Sequence, residues 1–144
     1  MATPEQRLVT EQKLFEATAV RDTGWRDISA SLSNGWAGKV MARRIGQIVQ
    51  LAFRLDGSAA TGSSFISLPV PLAPSYPSST GITHRFTIDP VIGGDDATLG
   101  EVVWAGITGT TITVEEIPRS TSAMGSTVYM TNQAWTTSFP GVGL

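Results

Sequence analysis

The chain has 144 residues, ten Lys and Arg against twelve Asp and Glu, a formal net charge of −2, only 15% charged residues and no cysteine. That length supports one domain with a real core but not two comfortable ones. The 15 Gly and 8 Pro, with so little charge, suit a turn-rich all-β chain rather than a disordered one. Without Cys, disulfides and cysteine-zinc sites are excluded, so stability has to come from packing, from metal bound by other ligands, or from oligomerisation, which we favour. No apolar run is long enough for a membrane span, and the N-terminus lacks the apolar core of a signal peptide. Residues 1–56 hold eight bases and six acids, and residues 57–144 two and six. Neither half is basic enough for a nucleic-acid binder, but the uneven charge could help subunits stack in register.

Thr3-Pro4-Glu5-Gln6 is a helix start: Thr can accept a backbone hydrogen bond, Pro suits the first turn and Gln6 stands where a capping box needs it. Thr10 offers a second start. The pattern predicts a short α-helix ending near Arg21 to Thr23, with Gly24 as its stop. So short a helix is marginal alone in water. It either packs its sparse apolar stripe on its own domain or joins the domain to a larger assembly. We therefore divide the chain into residues 1–23, a helical anchor or trimerisation segment, and residues 24–144, a β-domain.

After Trp25 the periodicity becomes twofold. Lys39 to Ile45 and Ile48 to Leu55 read as an antiparallel hairpin turned at Gly46-Gln47, with Val49, Leu51, Phe53 and Leu55 on one face. Residues 56–64 form a polar loop, and Phe65 to Leu68 a short strand. Pro69, Pro71, Pro74 and Pro77 make the next segment extended and rigid. Ile82 to Ile88 alternates again, with Ile82, His84, Phe86 and Ile88 on one face, and Gly93-Gly94-Asp95-Asp96 marks a turn. Leu99 to Ile107, Thr110 to Ile117 and Thr127 to Trp135 complete the strands, Thr108-Gly109 being a tight turn, and Thr136 to Leu144 is a small, Gly-rich tail. The expected architecture is mainly β: a short N-terminal helix followed by an antiparallel β-sandwich, assembled as a homotrimer.

Gly24-Trp25, Asn34-Gly35-Trp36, the basic strand at residues 39–44, the Gly46 turn, the strand Ile48 to Leu55 and Phe65-Ile-Ser-Leu68-Pro69 succeed one another in an order that resembles the β-domains ending bacteriophage tail fibres and minor tail proteins. The resemblance spans roughly residues 8 to 135. It departs at Val-Pro-Leu-Ala-Pro after Leu68-Pro69, and again at Asp89-Pro90. It implies a virion protein, synthesised in the bacterial cytoplasm, whose trimeric β-domain attaches to the host surface and whose helix contacts other phage tail or capsid proteins. A capsid decoration or head-fibre protein is the alternative.

An enzyme needs converging acids, bases or nucleophiles, and few are present. His84, the single histidine, reads as a satisfied core or interface residue, and no Ser lies in a G-x-S-x-G turn. A glycan-cleaving enzyme is therefore the least favoured reading, and no cofactor is expected. Asp89, Asp95, Asp96 and Glu101 read first as a solvated acidic turn and second as a calcium or inter-subunit metal site. Trp25 and Trp36 read as packed corners. Trp104, Tyr129 and Trp135 are the candidates for binding bacterial cell-surface glycan. Lys39, Arg43, Arg44 and Arg54 gather on neighbouring strands, with Arg44 on the face opposite Lys39 and Arg43. They suggest a rim of inter-subunit ion pairs or contact with anionic cell-wall polymer.

Overall fold

The structure is a computed structural model that describes residues 3–8, 11, 21–75, 83–91, 103–114 and 122–144. Residues 4–8 are helical, and the start is capped as expected: Gln6 N donates to Thr3 Oγ1 (3.2 Å) while Thr3 N donates to Gln6 Oε1 (2.9 Å). Most of the remaining helix expectation, residues 12–20, lies outside the described residues.

Beyond the helix, the described residues form nine strands: β1 (Arg26–Asp27), β2 (Ala37–Ile45), β3 (Ile48–Asp56), β4 (Ser64–Ser67), β5 (His84–Val91), β6 (Val103–Thr108), β7 (Thr111–Val114), β8 (Ser122–Met130) and β9 (Val142–Gly143). All neighbours are antiparallel, and they form one sheet in the order β4-β7-β6-β5-β8-β3-β2-β1-β9 rather than two. The reason is β5. Its residues 84–88 register with β6 and its residues 89–91 with β8, so a single strand turns the corner that would otherwise separate two sheets.

The sheet curls over one core. Phe53 of β3 meets Phe65 of β4 and Phe86 of β5 at ring separations of 5.5 and 6.0 Å. Around them lie Val40, Val49, Leu51, Leu55, Ile66, Ile88, Ile107 and Ile112, each essentially without solvent contact. Residues 28–33 strap the curl from β1 toward β4: Ile28 N donates to Val40 O, Leu32 bridges Ile66, and Ser33 N donates to Phe65 O.

The β2–β3 hairpin forms as read, with Ile45 opposite Ile48 and Gly46 at φ +56°. The Asn-Gly corner is also a tight turn. Asn34 (φ +54°) and Gly35 (φ +76°) both occupy the left-handed region, and Trp36 N closes onto Ser33 O. A side chain at Gly35 would run into the carbonyl of Ala59 at 2.1 Å, so this position needs glycine for space as well as for conformation. Of the β6–β7 hairpin, the turn is Gly109-Thr110, one residue later than expected, with Gly109 at φ +60°.

The last long strand corrects the sequence reading. It spans Ser122–Met130, not Thr127 to Trp135, and Thr131 N leaves the ladder to donate to Gln47 O. Its inward positions are Ala123, Gly125, Thr127 and Tyr129, three of them small, so no bulky alternation announces it. Phe53 and Ile88 fill the space that a side chain at Gly125 would need.

Candidate functional site

Two arginines hold the C-terminal segment. Arg26 on β1 donates to the carbonyls of Pro140 (2.9 Å), Phe139 (3.1 Å) and Gly141 (2.7 Å). Arg44 on β2 is 3% exposed and donates to Gly46 O, Pro71 O, Gln133 O and Ala134 O. Its guanidinium also lies 5.2 Å from the Trp135 ring and 5.8 Å from that of Phe139. Burial pushes the Arg44 guanidinium below its ordinary value. The expectation of an inter-subunit rim therefore fails for Arg44, which is an internal clamp on backbone carbonyls.

Lys39 and Arg43 do share the outward face, but their acids come from their own chain. Lys39 Nζ is 2.7 Å from Asp27 Oδ2, and Arg43 forms a two-point pair with Asp22. The Lys39 ammonium, followed by the Ser29 hydroxyl and amide, holds the Asp27 carboxyl well below the usual carboxylate range. Arg43 does the same for Asp22, helped by the amide of Gly24. The Asp22 bridge to Ile45 and the exchange between Thr23 and Arg44 tie residues 21–23 to the hairpin end. Those residues thus belong with the β-body rather than with the helix.

The motif residues act as corners. Gly24 takes φ +64° and its amide donates to Asp22 Oδ1; Trp25 is partly buried. Trp36 is 8% exposed, stands 5.9 Å from Phe65 and donates from Nε1 to Gly62 O at 2.8 Å. Leu68 is buried, and Pro69 opens the 3₁₀ turn Val70–Leu72.

Of the three aromatic candidates for a sugar surface, the structure leaves one properly in solvent. Tyr129 is buried, and its hydroxyl donates to Leu72 O at 2.6 Å, so its ring belongs to the core. Trp135 is half-buried, with its ring 4.7 Å from Phe139 and Arg44 nearby. Trp104 on β6 is 47% exposed, and the Arg85 guanidinium lies 5.3 Å from its ring centre. His84 faces inward beside Phe86 and Tyr129, with Nε2 2.8 Å from Thr127 Oγ1; burial lowers its proton affinity. Asp95, Asp96 and Glu101 lie outside the described residues, and no metal-binding group of His, Asp or Glu exists among those described.

A groove on the outward face has no signal in the sequence. It has a volume of about 610 Å³ and draws Lys39 and Met41 from β2, Ala52 and Arg54 from β3, Met124 and Ser126 from β8, and Thr87 and Asp89 from β5. Its origin is the corner strand: β5 pairs with β8 at Asp89 and parts from it toward Thr87, over the backbone of Gly125. Trp104 is the cross-strand partner of Thr87 and so stands at the groove's side. At the other end of the same face, Ile48, Val128 and Met130 are 44%, 55% and 56% exposed, with Ile48 directly opposite Met130. Among the described residues no helix is long and apolar enough to cross a membrane. Comparison of the chain with protein-family models, with curated proteins and with solved structures gave no match.

Proposed function

We propose that this chain is a structural protein of a bacteriophage particle, a minor tail protein or tail-fibre tip that presents a trimeric β-domain to the host surface. The order of corner motifs that resembles such domains supports the class. The observation that carries the reading is the apolar patch of Ile48, Val128 and Met130 on the outward side of β3 and β8. These are central strands, and a contiguous apolar patch there favours contact with another protein surface. In this reading subunits meet on that patch, the capped helix near the N-terminus reaches the rest of the particle, and the protein binds rather than catalyses.

Light scattering of the purified protein, with antibody labelling of particles under the electron microscope, tests it. A trimeric mass that falls to a monomer in Val128→Asp, with label at the tail, is the expected result. Label on the shell would favour the capsid decoration or head-fibre role instead. A monomer that labels no part of the particle overturns both.

A further inference from the structure

We propose that the groove beside Trp104 is a binding site for a neutral pyranose oligosaccharide. The inference rests on the host-surface reading only for where such a sugar would be met, since the site itself is argued from its chemistry. Arg54, Met124 and Asp89 form a row across three adjacent strands: Arg54 registers with Met124, and Met124 with Asp89. The two charged residues are therefore about 10 Å apart at the backbone, two strand spacings, with a thioether between them. Neither Arg54 nor Asp89 forms an ion pair or hydrogen bond with another described residue, and both are exposed.

One wall thus donates, the other accepts, and the floor is apolar. Ser126 and Thr87, the neighbouring positions on β8 and β5, add hydroxyls that can do either. A pyranose offers the matching pattern, because its hydroxyls donate and accept around the rim of a ring whose faces carry C–H groups. Trp104 supplies the flat surface on which such a face stacks, at little cost in side-chain entropy.

Charge decides against acidic ligands. Lys39 is already neutralised by Asp27, and Arg54 is offset by Asp89, so the groove lining carries no surplus of positive charge for a phosphate or uronate; Arg85, outside that lining, lies over the Trp104 ring. Concave sites with a few convergent polar groups and apolar walls are the usual form of small-ligand sites, although this one is shallow and open. An open groove suits an internal stretch of a polymer better than an enclosed pocket would.

The test is a glycan array carrying neutral and acidic oligosaccharides, followed by calorimetric titration of the strongest neutral ligand. Trp104→Ala and Asp89→Asn should each weaken binding about tenfold without moving the thermal midpoint, as loss of one stacking or polar contact does. Val70→Ser, at an exposed position outside both the groove and the apolar patch, should leave the affinity unchanged. An array on which neutral sugars give no signal, or only acidic polymers bind, overturns the proposal; so does sugar binding that survives both groove variants. Presence on particles without sugar binding would remove this inference alone. Sugar binding by a protein absent from particles would uphold the site and remove the virion reading.

Discussion

The guanidinium of Arg44 lies 5.2 Å from the centre of the Trp135 ring while its nitrogens donate to the carbonyls of Gln133 and Ala134, the two residues that lead into that ring. A charged side chain on β2 therefore fixes where the chain goes after β8. Its charge is solvated by backbone oxygens instead of water, which is how a buried cation without a carboxylate partner becomes tolerable.

Replacing Arg44 with Met leaves several carbonyls short of a donor and should destabilise the fold by about 3 kcal/mol. Arg44→Lys should rescue little, because one ammonium cannot cover the spread of acceptors that a planar fork reaches. Urea denaturation measures the loss. Faster amide exchange across residues 131–135 in either variant would locate it.

Trp36→Ala should cost about 3–5 kcal/mol, the range for deleting a buried aromatic. The ring packs against Phe65 and the indole N–H satisfies Gly62 O, so both packing and a polar contact disappear. An unchanged unfolding midpoint would show that the corner does not depend on this ring.

Acid should weaken the protein in two stages. Burial favours neutral His84, so its folded-state value lies below the unfolded one; its stabilisation is complete above about pH 6.5 and is lost as pH falls below that. Asp22, held down by Arg43, Asp27, held down by Lys39, and Asp56, held down by the amide and hydroxyl of Ser58, contribute above about pH 4 and lose that contribution as pH drops through their lowered folded values. Thermal melts from pH 8 to pH 3 should show both stages, and His84→Gln should flatten the first alone.

A chain starting at Arg21 should keep the stability of the full sequence, whereas one starting at Gly24 should lose about 1 kcal/mol. The difference reflects the loss of the Thr23 bonds to Arg44 and of the Gly46 amide's bond to Arg21 O, the exposed Asp22–Arg43 pair adding little. Equal midpoints for the two truncations would return residues 21–23 to the helical segment.

Local signals carried much of the fold. Alternation from Ile48 to Leu55 and the adjacent Gly46-Gln47 are enough to define a hairpin, and Asn34-Gly35 defines its turn because only two left-handed residues close it. The sequence was silent where structure depends on distant partners. Strands β1 and β9 have two residues each and exist because Arg26 and its neighbours meet residues 139–143. The small inward side chains of β8 leave its start without a pattern, so local alternation points to a strand beginning at Thr127, and nothing local marks Tyr129 as a core residue. The groove was invisible for a related reason: it arises from β5 changing partners midway, which no pattern along β5 records. Trp104 was legible as a candidate because an aromatic on an alternating strand has to point somewhere, and here its side is the outer one.

The pairing of β1 with β9 also orders events in time. Arg26 grips Gly141 across 115 positions of chain, so during synthesis β1 waits for that whole span before its second neighbour exists. The β2–β3 hairpin, closed by a two-residue turn, has no such delay and is the natural nucleus. Closing a contact of that span late is entropically slow. Refolding should therefore show early protection of β2 and β3 amides, with β1 and β9 becoming protected last.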